Sequence, residues 1–113
     1  MADEKLTLNV EPPVGKFEAN GGNATHSILN LTDDRLAFKV KCSNNECFRV
    51  RPVYGFVDPQ SKAPLEIRRD KGPAKEDKFV IQWAAVPVEE TDPKAPFVAG
   101  AQAGEVVLPV RAE

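Results

Sequence analysis

The sequence is poor in residues that bind metals or form disulfides, with one histidine and two cysteines among its 113 residues. A structural zinc site uses four Cys or His ligands, and His26 lies in a different segment from Cys42 and Cys47. We therefore expect no metal site. In a reducing cytosol the two cysteines are expected to be free thiols rather than a bridge. His26 is expected to lie half-buried on a strand.

Long hydrophobic segments are missing as well. No segment approaches the roughly 20 apolar residues of a membrane span. The N-terminal MADEKLTLNV has acidic residues where a signal peptide has a positive segment followed by an apolar run. These absences predict a cytoplasmic protein. The two glycosylation sequons, Asn23-Ala24-Thr25 and Asn30-Leu31-Thr32, are therefore expected to stay unmodified.

Neither sign of charge dominates, because 15 Lys and Arg stand against 17 Asp and Glu and give a formal net charge of −2. Such a chain has no global field that attracts nucleic acid or an anionic membrane, so a basic site has to be local. A catalytic triad or dyad would have to use His26, whose neighbours form no nucleophile motif. The sequence also has no glycine-rich phosphate loop that opens a helix. We predict a protein that is not an enzyme and has no cofactor.

What the sequence does have is period-two alternation of apolar and polar residues, in short runs that end at Pro, Gly, Asn or Asp. No segment has sustained helical periodicity. Seven such runs predict an all-β fold, an immunoglobulin-like antiparallel β-sandwich, in one domain that spans residues 1–113. The runs are Leu6 to Val10, His26 to Leu31, Leu36 to Cys42, Phe48 to Pro52, Leu65 to Ile67, Asp77 to Trp83, and Glu105 to Arg111.

Two features interrupt this pattern. Pro52 removes a backbone donor and predicts a strand end, a sheet edge or a switch between sheets. The connection from Pro87 to Gly104 is long and rich in Pro, Ala and Gly, and connections of this length tend to be functional or mobile. Its apolar stretch Pro96-Phe97-Val98 is expected to pack back onto the sandwich, and contact with a partner is the alternative.

Outward positions of the third, fourth and sixth predicted strands carry positive charge, at Lys39, Lys41, Arg49, Arg51 and Lys78. If these residues share one face of one sheet, they form a local basic patch on an acidic protein. Such a patch suits an acidic peptide laid along the sheet, through charge-assisted hydrogen bonds. The alternative is that the outward charges serve solubility alone.

The segment AFKVKCSNNECFRVRPVYGFVDP, with LNVEPP before it and DKFVIQ after it, resembles the major sperm protein domain, which also occurs in the VAMP-associated proteins of the endoplasmic reticulum. The resemblance extends over nearly the whole chain. It implies a seven-stranded immunoglobulin-like sandwich, in which Pro52 and Gly55 shape the bend of the strand that crosses between sheets. It also implies a cis peptide bond at Pro52 or near Pro12-Pro13.

The short length and the Ala- and Pro-rich segment before the last strand look most like the small sperm-specific members of the family in nematodes. This resemblance implies a structural or interaction protein of the sperm cytoplasm, which self-associates or contacts the sperm cytoskeleton built from major sperm protein. The implied partner is a protein, either a second copy or another family member. The family also implies a third role, as an extracellular signalling ligand.

The VAMP-associated members imply an alternative function, the binding of peptides with two phenylalanines in an acidic tract. The positions that match their peptide site are Lys39, Lys41, Lys78 and, as an apolar contact, Val80. The sequence differs from those members at Cys42 and Ser43, where they carry two threonines, and at Val80, where they usually carry methionine.

Overall fold

The computed structural model describes residues 8–113, in which nine strands and one short helix form. The elements are β1 Leu8–Glu11, β2 Gly15–Phe17, β3 Gly22–Asn30, β4 Leu36–Cys42, β5 Phe48–Arg51, β6 Tyr54–Val57, β7 Ser61–Arg69, β8 Lys75–Ala85, α1 Ala95–Val98 and β9 Gly104–Ala112. One sheet has four strands in the order β1-β3-β7-β5, and the other has five in the order β2-β9-β8-β4-β6. The β2–β9 pair is parallel and the other pairs are antiparallel. Leu6 of the first predicted strand lies outside the described residues.

Two of the nine strands, β2 and β6, were not predicted, and each follows a proline at which the chain changes sheets. The first predicted strand corresponds to β1, and after Pro12 and Pro13 the chain continues as β2 in the other sheet. The fourth corresponds to β5, and after Pro52 the chain continues as β6 in the other sheet. Proline has no N–H to give to a ladder, so pairing within one sheet ends there. The predicted switch at Pro52 is confirmed, and the Glu11-Pro12 and Arg51-Pro52 peptide bonds are both cis.

The core lies between the two sheets and is filled by inward-facing apolar side chains from both. Three phenylalanines connect the sheets by edge-to-face contacts, because Phe48 of β5 lies between Phe17 of β2 and Phe79 of β8. The ring centroids are 5.3 Å apart for the first pair and 5.6 Å apart for the second. Each such pair stabilises the fold by about 0.5–1.5 kcal/mol beyond the area that it buries. Gly55 lies in β6, opposite Phe38 of β4.

Asn30 is a fully buried amide that fastens the end of β3 to the turns beside it. Its Nδ2 lies 2.8, 3.1 and 3.0 Å from the carbonyl oxygens of Asp34, Val57 and Asp58. Its Oδ1 accepts hydrogen bonds from the backbone N–H and the hydroxyl of Thr32. Because the fold uses the whole of this amide, the folded protein presents no glycan acceptor at Asn30.

The long connection between β8 and β9 contains α1 and returns to the sandwich. Phe97 of α1 lies against Tyr54 of β6, with ring centroids 6.1 Å apart. The predicted packing back is therefore confirmed for Phe97. Its neighbour Val98 is 84% exposed, so the apolar stretch is divided between the sandwich and solvent.

Candidate functional site

The candidate site is the outer face of the five-stranded sheet, where β4 and β8 run side by side. Their register places Lys41 opposite Val80, and Lys39 lies on the same side of β4, since side chains alternate along a strand. Lys78 continues this face next to Ser43, whose N–H donates to the Lys78 carbonyl oxygen at 3.0 Å. The structure thus brings together the four residues that match the peptide site of the VAMP-associated members. We call Lys39, Lys41, Lys78 and Val80 the lysine face.

An exposed apolar strip extends the lysine face toward the sheet edge. Val80 lies opposite Val107 of β9, and Lys78 lies opposite Pro109. Val107 is 46% exposed. Pro109 lines two adjoining hollows, one of about 300 Å³ shared with Val14 and one of about 460 Å³ shared with Val107. We call Val14, Val80, Val107 and Pro109 the apolar strip.

Val107 and Pro109 were not predicted as site residues, although the alternation of the last strand contains the signal. That alternation turns Leu108 and Val110 inward, and both are buried in the structure. The residues between them must then face outward. What periodicity does not reveal is that β9 lies beside β8, because strand order depends on contacts between distant segments.

Aromatic and basic side chains surround Tyr54 at the other end of the lysine face. Lys39 Nζ lies 5.7 Å from the centroid of the Tyr54 ring, and Lys94 Nζ lies 5.6 Å from it. Ammonium groups within about 6 Å of a ring are attracted by its negative face. Because Phe97 contacts the same ring, α1 covers this end of the lysine face.

Asp77 is a nearly buried carboxylate beside Lys78, with 5% of its side chain exposed. The Ser43 hydroxyl donates to its Oδ1 at 3.0 Å, and Asn44 Nδ2 donates to its Oδ2 at 3.2 Å. Lys75 Nζ lies 3.8 Å from Oδ1. Ser43 Oγ also accepts the Lys78 N–H at 3.0 Å. Ser43, one of the positions that differ from the VAMP-associated members, therefore holds β4 against β8.

Cys42, a second differing position, lies opposite Phe79 and packs against the core rather than on the lysine face. Both cysteines are free, as predicted. Burial raises the pKa of the Cys42 thiol. The Asn44 N–H, which donates to Sγ at 3.3 Å, partly lowers this pKa, and the Asp77 carboxylate raises it further.

Arg49 and Arg51 do not lie on the lysine face, so the prediction of a single basic patch is wrong for them. They belong to β5, which pairs with β7 in the four-stranded sheet. Their side chains are exposed on the opposite surface of the sandwich. Alternation correctly identified both as outward-facing positions. A sandwich has two outer surfaces, however, and alternation does not distinguish them. The chain changes sheets between Cys42 and Phe48, and alternation within the strands does not encode that change.

His26 lies on β3 and is 3% exposed, so it is more deeply buried than predicted. Its Nδ1 lies 2.9 Å from the carbonyl oxygen of Pro12, to which it donates. Among residues 8–113 no group of three or more His, Cys, Asp or Glu side chains is arranged to hold a metal ion. Over the same part of the chain, no helix has the length and hydrophobicity that a membrane crossing requires.

Comparison with known proteins identifies the family. Residues 7–106 match the model of the MSP (major sperm protein) domain. This chain belongs to the major sperm protein domain family. Sperm-specific class P protein 31 of Caenorhabditis elegans is 64% identical over 101 residues, and class P protein 34 of that nematode is 63% identical over 101 residues. Each alignment covers 89% of this chain and 94% of the relative.

The solved structures agree with this assignment. The structure of WR4, a C. elegans MSP family member, aligns with a TM-score of 0.94 and 60% sequence identity. The alignment covers 96% of this chain and 100% of that one. Membership of the MSP domain family confirms the resemblance that the sequence showed and the predicted immunoglobulin-like sandwich.

Proposed function

We propose that this MSP-domain protein is a non-enzymatic structural or interaction protein of the sperm cytoplasm. It acts by self-association or by contact with the sperm cytoskeleton built from major sperm protein. Its partner is a second copy or another MSP-family protein, and the 113 residues act as one domain. The observation that carries this proposal is the 64% identity with a sperm-specific protein over 89% of the chain.

The apolar strip supports a protein partner. Val14 and Val107 are 51% and 46% exposed, and Pro109 lines the hollows beside both of them. Removing such apolar area from water favours association, and contiguous exposed patches mark interaction surfaces. The strip ends near β2, an edge strand of the five-stranded sheet, so a partner that covers the strip also reaches that edge.

Sedimentation velocity over a wide concentration range at physiological salt tests the proposal. We expect dimers or larger species that Val107→Glu weakens, because the variant places a charge in the apolar strip. Val88→Glu is the matched control, since Val88 lies in the connection after β8 and is 82% exposed. A protein that stays monomeric and does not cosediment with filaments of major sperm protein would contradict the proposal.

The lysine face favours a second function, the binding of an acidic peptide that carries two phenylalanines. Lys41 and Lys78 are exposed beside Val80 and Val107, so positive charge flanks an apolar centre. This arrangement suits a phenylalanine that lies between carboxylates, with the charges steering the approach of the peptide. It is the observation that supports the peptide-binding alternative.

Calorimetric titration with an acidic di-phenylalanine peptide tests this alternative. We expect heat that disappears in Lys78→Ala and weakens as salt is added, because exposed charges are screened. Lys62→Ala is the control, since Lys62 is exposed on the other sheet. The alternative is excluded if the wild type gives no heat at low salt.

A further inference from the structure

The outer face of the four-stranded sheet carries a second concentration of positive charge. Arg49 and Arg51 lie on β5, and Arg68 lies on β7. We call these three residues the arginine face. Arg49 and Arg68 are direct cross-strand neighbours in the β5–β7 pair. Like charges in directly opposite positions destabilise a sheet, so this pair indicates a requirement other than folding.

The carboxylates around the arginine face leave Arg49 without a counter-charge. Arg51 pairs with Glu66 at 2.8 Å, and Arg68 pairs with Asp70 at 3.0 Å. Arg49 Nη1 contacts backbone carbonyl oxygens, those of Asn45, Glu46 and Phe48. In the part of the chain from residue 8 to 113, no carboxylate lies within ion-pair distance of Arg49. Three arginines against Glu66 and Asp70 leave one unit of positive charge on a chain whose net charge is −2.

A shallow hollow of about 460 Å³ lies between these side chains. The three arginines line it together with Glu66, the carboxylate that pairs with Arg51, and Thr25 from β3 lines its far side. The hollow therefore spans β3, β7 and β5, and β5 is an edge strand of its sheet. It offers a hydroxyl and guanidinium groups to a segment that crosses the sheet, and the unpaired guanidinium of Arg49 lies at its β5 side.

The arginine pair is within reach of an extended peptide. Arg49 and Arg68 are directly opposite on neighbouring strands, which separates their Cα atoms by about 4.5–5.5 Å. Their long side chains reach carboxylates at alternate positions of an extended peptide, which repeat at about 6.6 Å. The planar guanidinium group binds carboxylate through two parallel hydrogen bonds, which gives such a pairing its specificity. The acidic net charge of the chain disfavours a long polyanion such as nucleic acid.

We propose that the arginine face binds an extended segment of another protein that carries carboxylates at alternate positions. The segment lies across β5 and β7, and its carboxylates contact Arg49 and Arg68. Binding neutralises the like-charged pair. This surface lies on the opposite sheet from the lysine face, so the protein can engage two partners at once.

Fluorescence anisotropy with a labelled peptide of alternating Glu and Thr tests the proposal. We expect saturable binding to the wild type at low salt, with affinity lowered by about tenfold or more in the double variant Arg49→Gln, Arg68→Gln. Lys62→Gln removes an exposed charge from the same side of β7 outside the hollow. This control should stay within about twofold of the wild type.

Several outcomes would overturn the assignment. They are a wild type that does not saturate, a double variant with unchanged affinity, and equal binding of the matching Gln-Thr peptide. Equal displacement by inorganic polyphosphate would mean that the face holds anions in general. An equal loss of affinity in the double variant Lys41→Gln, Lys78→Gln would place the peptide on the lysine face. This result would contradict the proposal for the arginine face without contradicting the proposed self-association. Cooperative urea unfolding of each variant confirms that it is folded.

Discussion

The ring of Phe38 lies directly against the backbone of Gly55, where a Cβ atom would be 2.7 Å from Phe38 Cζ. Phe38 is 1% exposed in the core, so its ring has no space into which it can withdraw. The glycine after the sheet switch at Pro52 therefore serves the packing of β4.

Gly55→Ala is expected to destabilise the fold by about 1–3 kcal/mol, because the new methyl group overpacks the core at Phe38. Urea unfolding followed by Trp83 fluorescence measures the effect. Gly22→Ala is the matched control, since a Cβ at Gly22 meets nothing within 4 Å. Equal stability of the two variants would contradict the close contact.

Asn30→Asp is expected to cost about 2 kcal/mol or more, although the two side chains have the same shape. The carboxylate cannot donate, so the carbonyl oxygens of Asp34, Val57 and Asp58 lose the partner that Asn30 Nδ2 provides. Thermal unfolding measures the loss. Asn9→Asp, at an exposed position of β1, serves as the control, and a similar melting temperature for both variants would disprove the role of Asn30.

Phe97→Ala is expected to loosen α1 without unfolding the sandwich. Phe97 contacts Tyr54 from a half-buried position, so the global stability should fall by about 1 kcal/mol or less. Hydrogen exchange should become faster at the Val98 and Ala99 amides, which donate within α1, and stay unchanged in β8. Val98→Ala is the control, and unchanged exchange in Phe97→Ala would show that Tyr54 does not hold the segment.

Cys42 is expected to react slowly with iodoacetamide near neutral pH. Burial raises the pKa of its thiol, so less of the reactive thiolate is present than in the unfolded chain. Above the ordinary cysteine pKa of about 8.5, the Cys42 thiol ionises in the unfolded chain while it keeps its proton in the folded protein. Ionisation therefore favours the unfolded chain, and the stability that this thiol contributes is lost as pH rises. Mass spectrometry that resolves the Cys42 peptide, with and without urea, measures the ratio of rates. Equal rates would contradict the burial.

Much of the fold was predictable from local patterns. The alternation of LAFKVKC and EVVLPVR identified β4 and β9 with the correct inward side chains, because a pleated strand turns successive residues to opposite faces. Pro52 marked a strand end, a sheet edge or a switch between sheets because proline cannot donate to a ladder, and the family resemblance favoured the switch. The residues of the lysine face were identified through the family motif, and the register of β4 with β8 places them on one surface.

The sequence by itself determined seven of the nine strands, their inward and outward positions and the places where proline ends them, because these follow from the backbone of each segment. Only the tertiary structure decided which sheet each strand joins, and therefore that Arg49 lies on the opposite surface from Lys41. Alternation along β7 turns Arg69 inward and Arg68 outward, but only the tertiary structure decides what a buried arginine contacts. Arg69 is 1% exposed, its guanidinium lies 5.0 Å from the Phe48 ring centre, and its Nη2 donates to the Pro73 carbonyl oxygen at 2.8 Å. Contacts between segments distant in sequence set the sheet of each strand and these partners, and no local pattern encodes them.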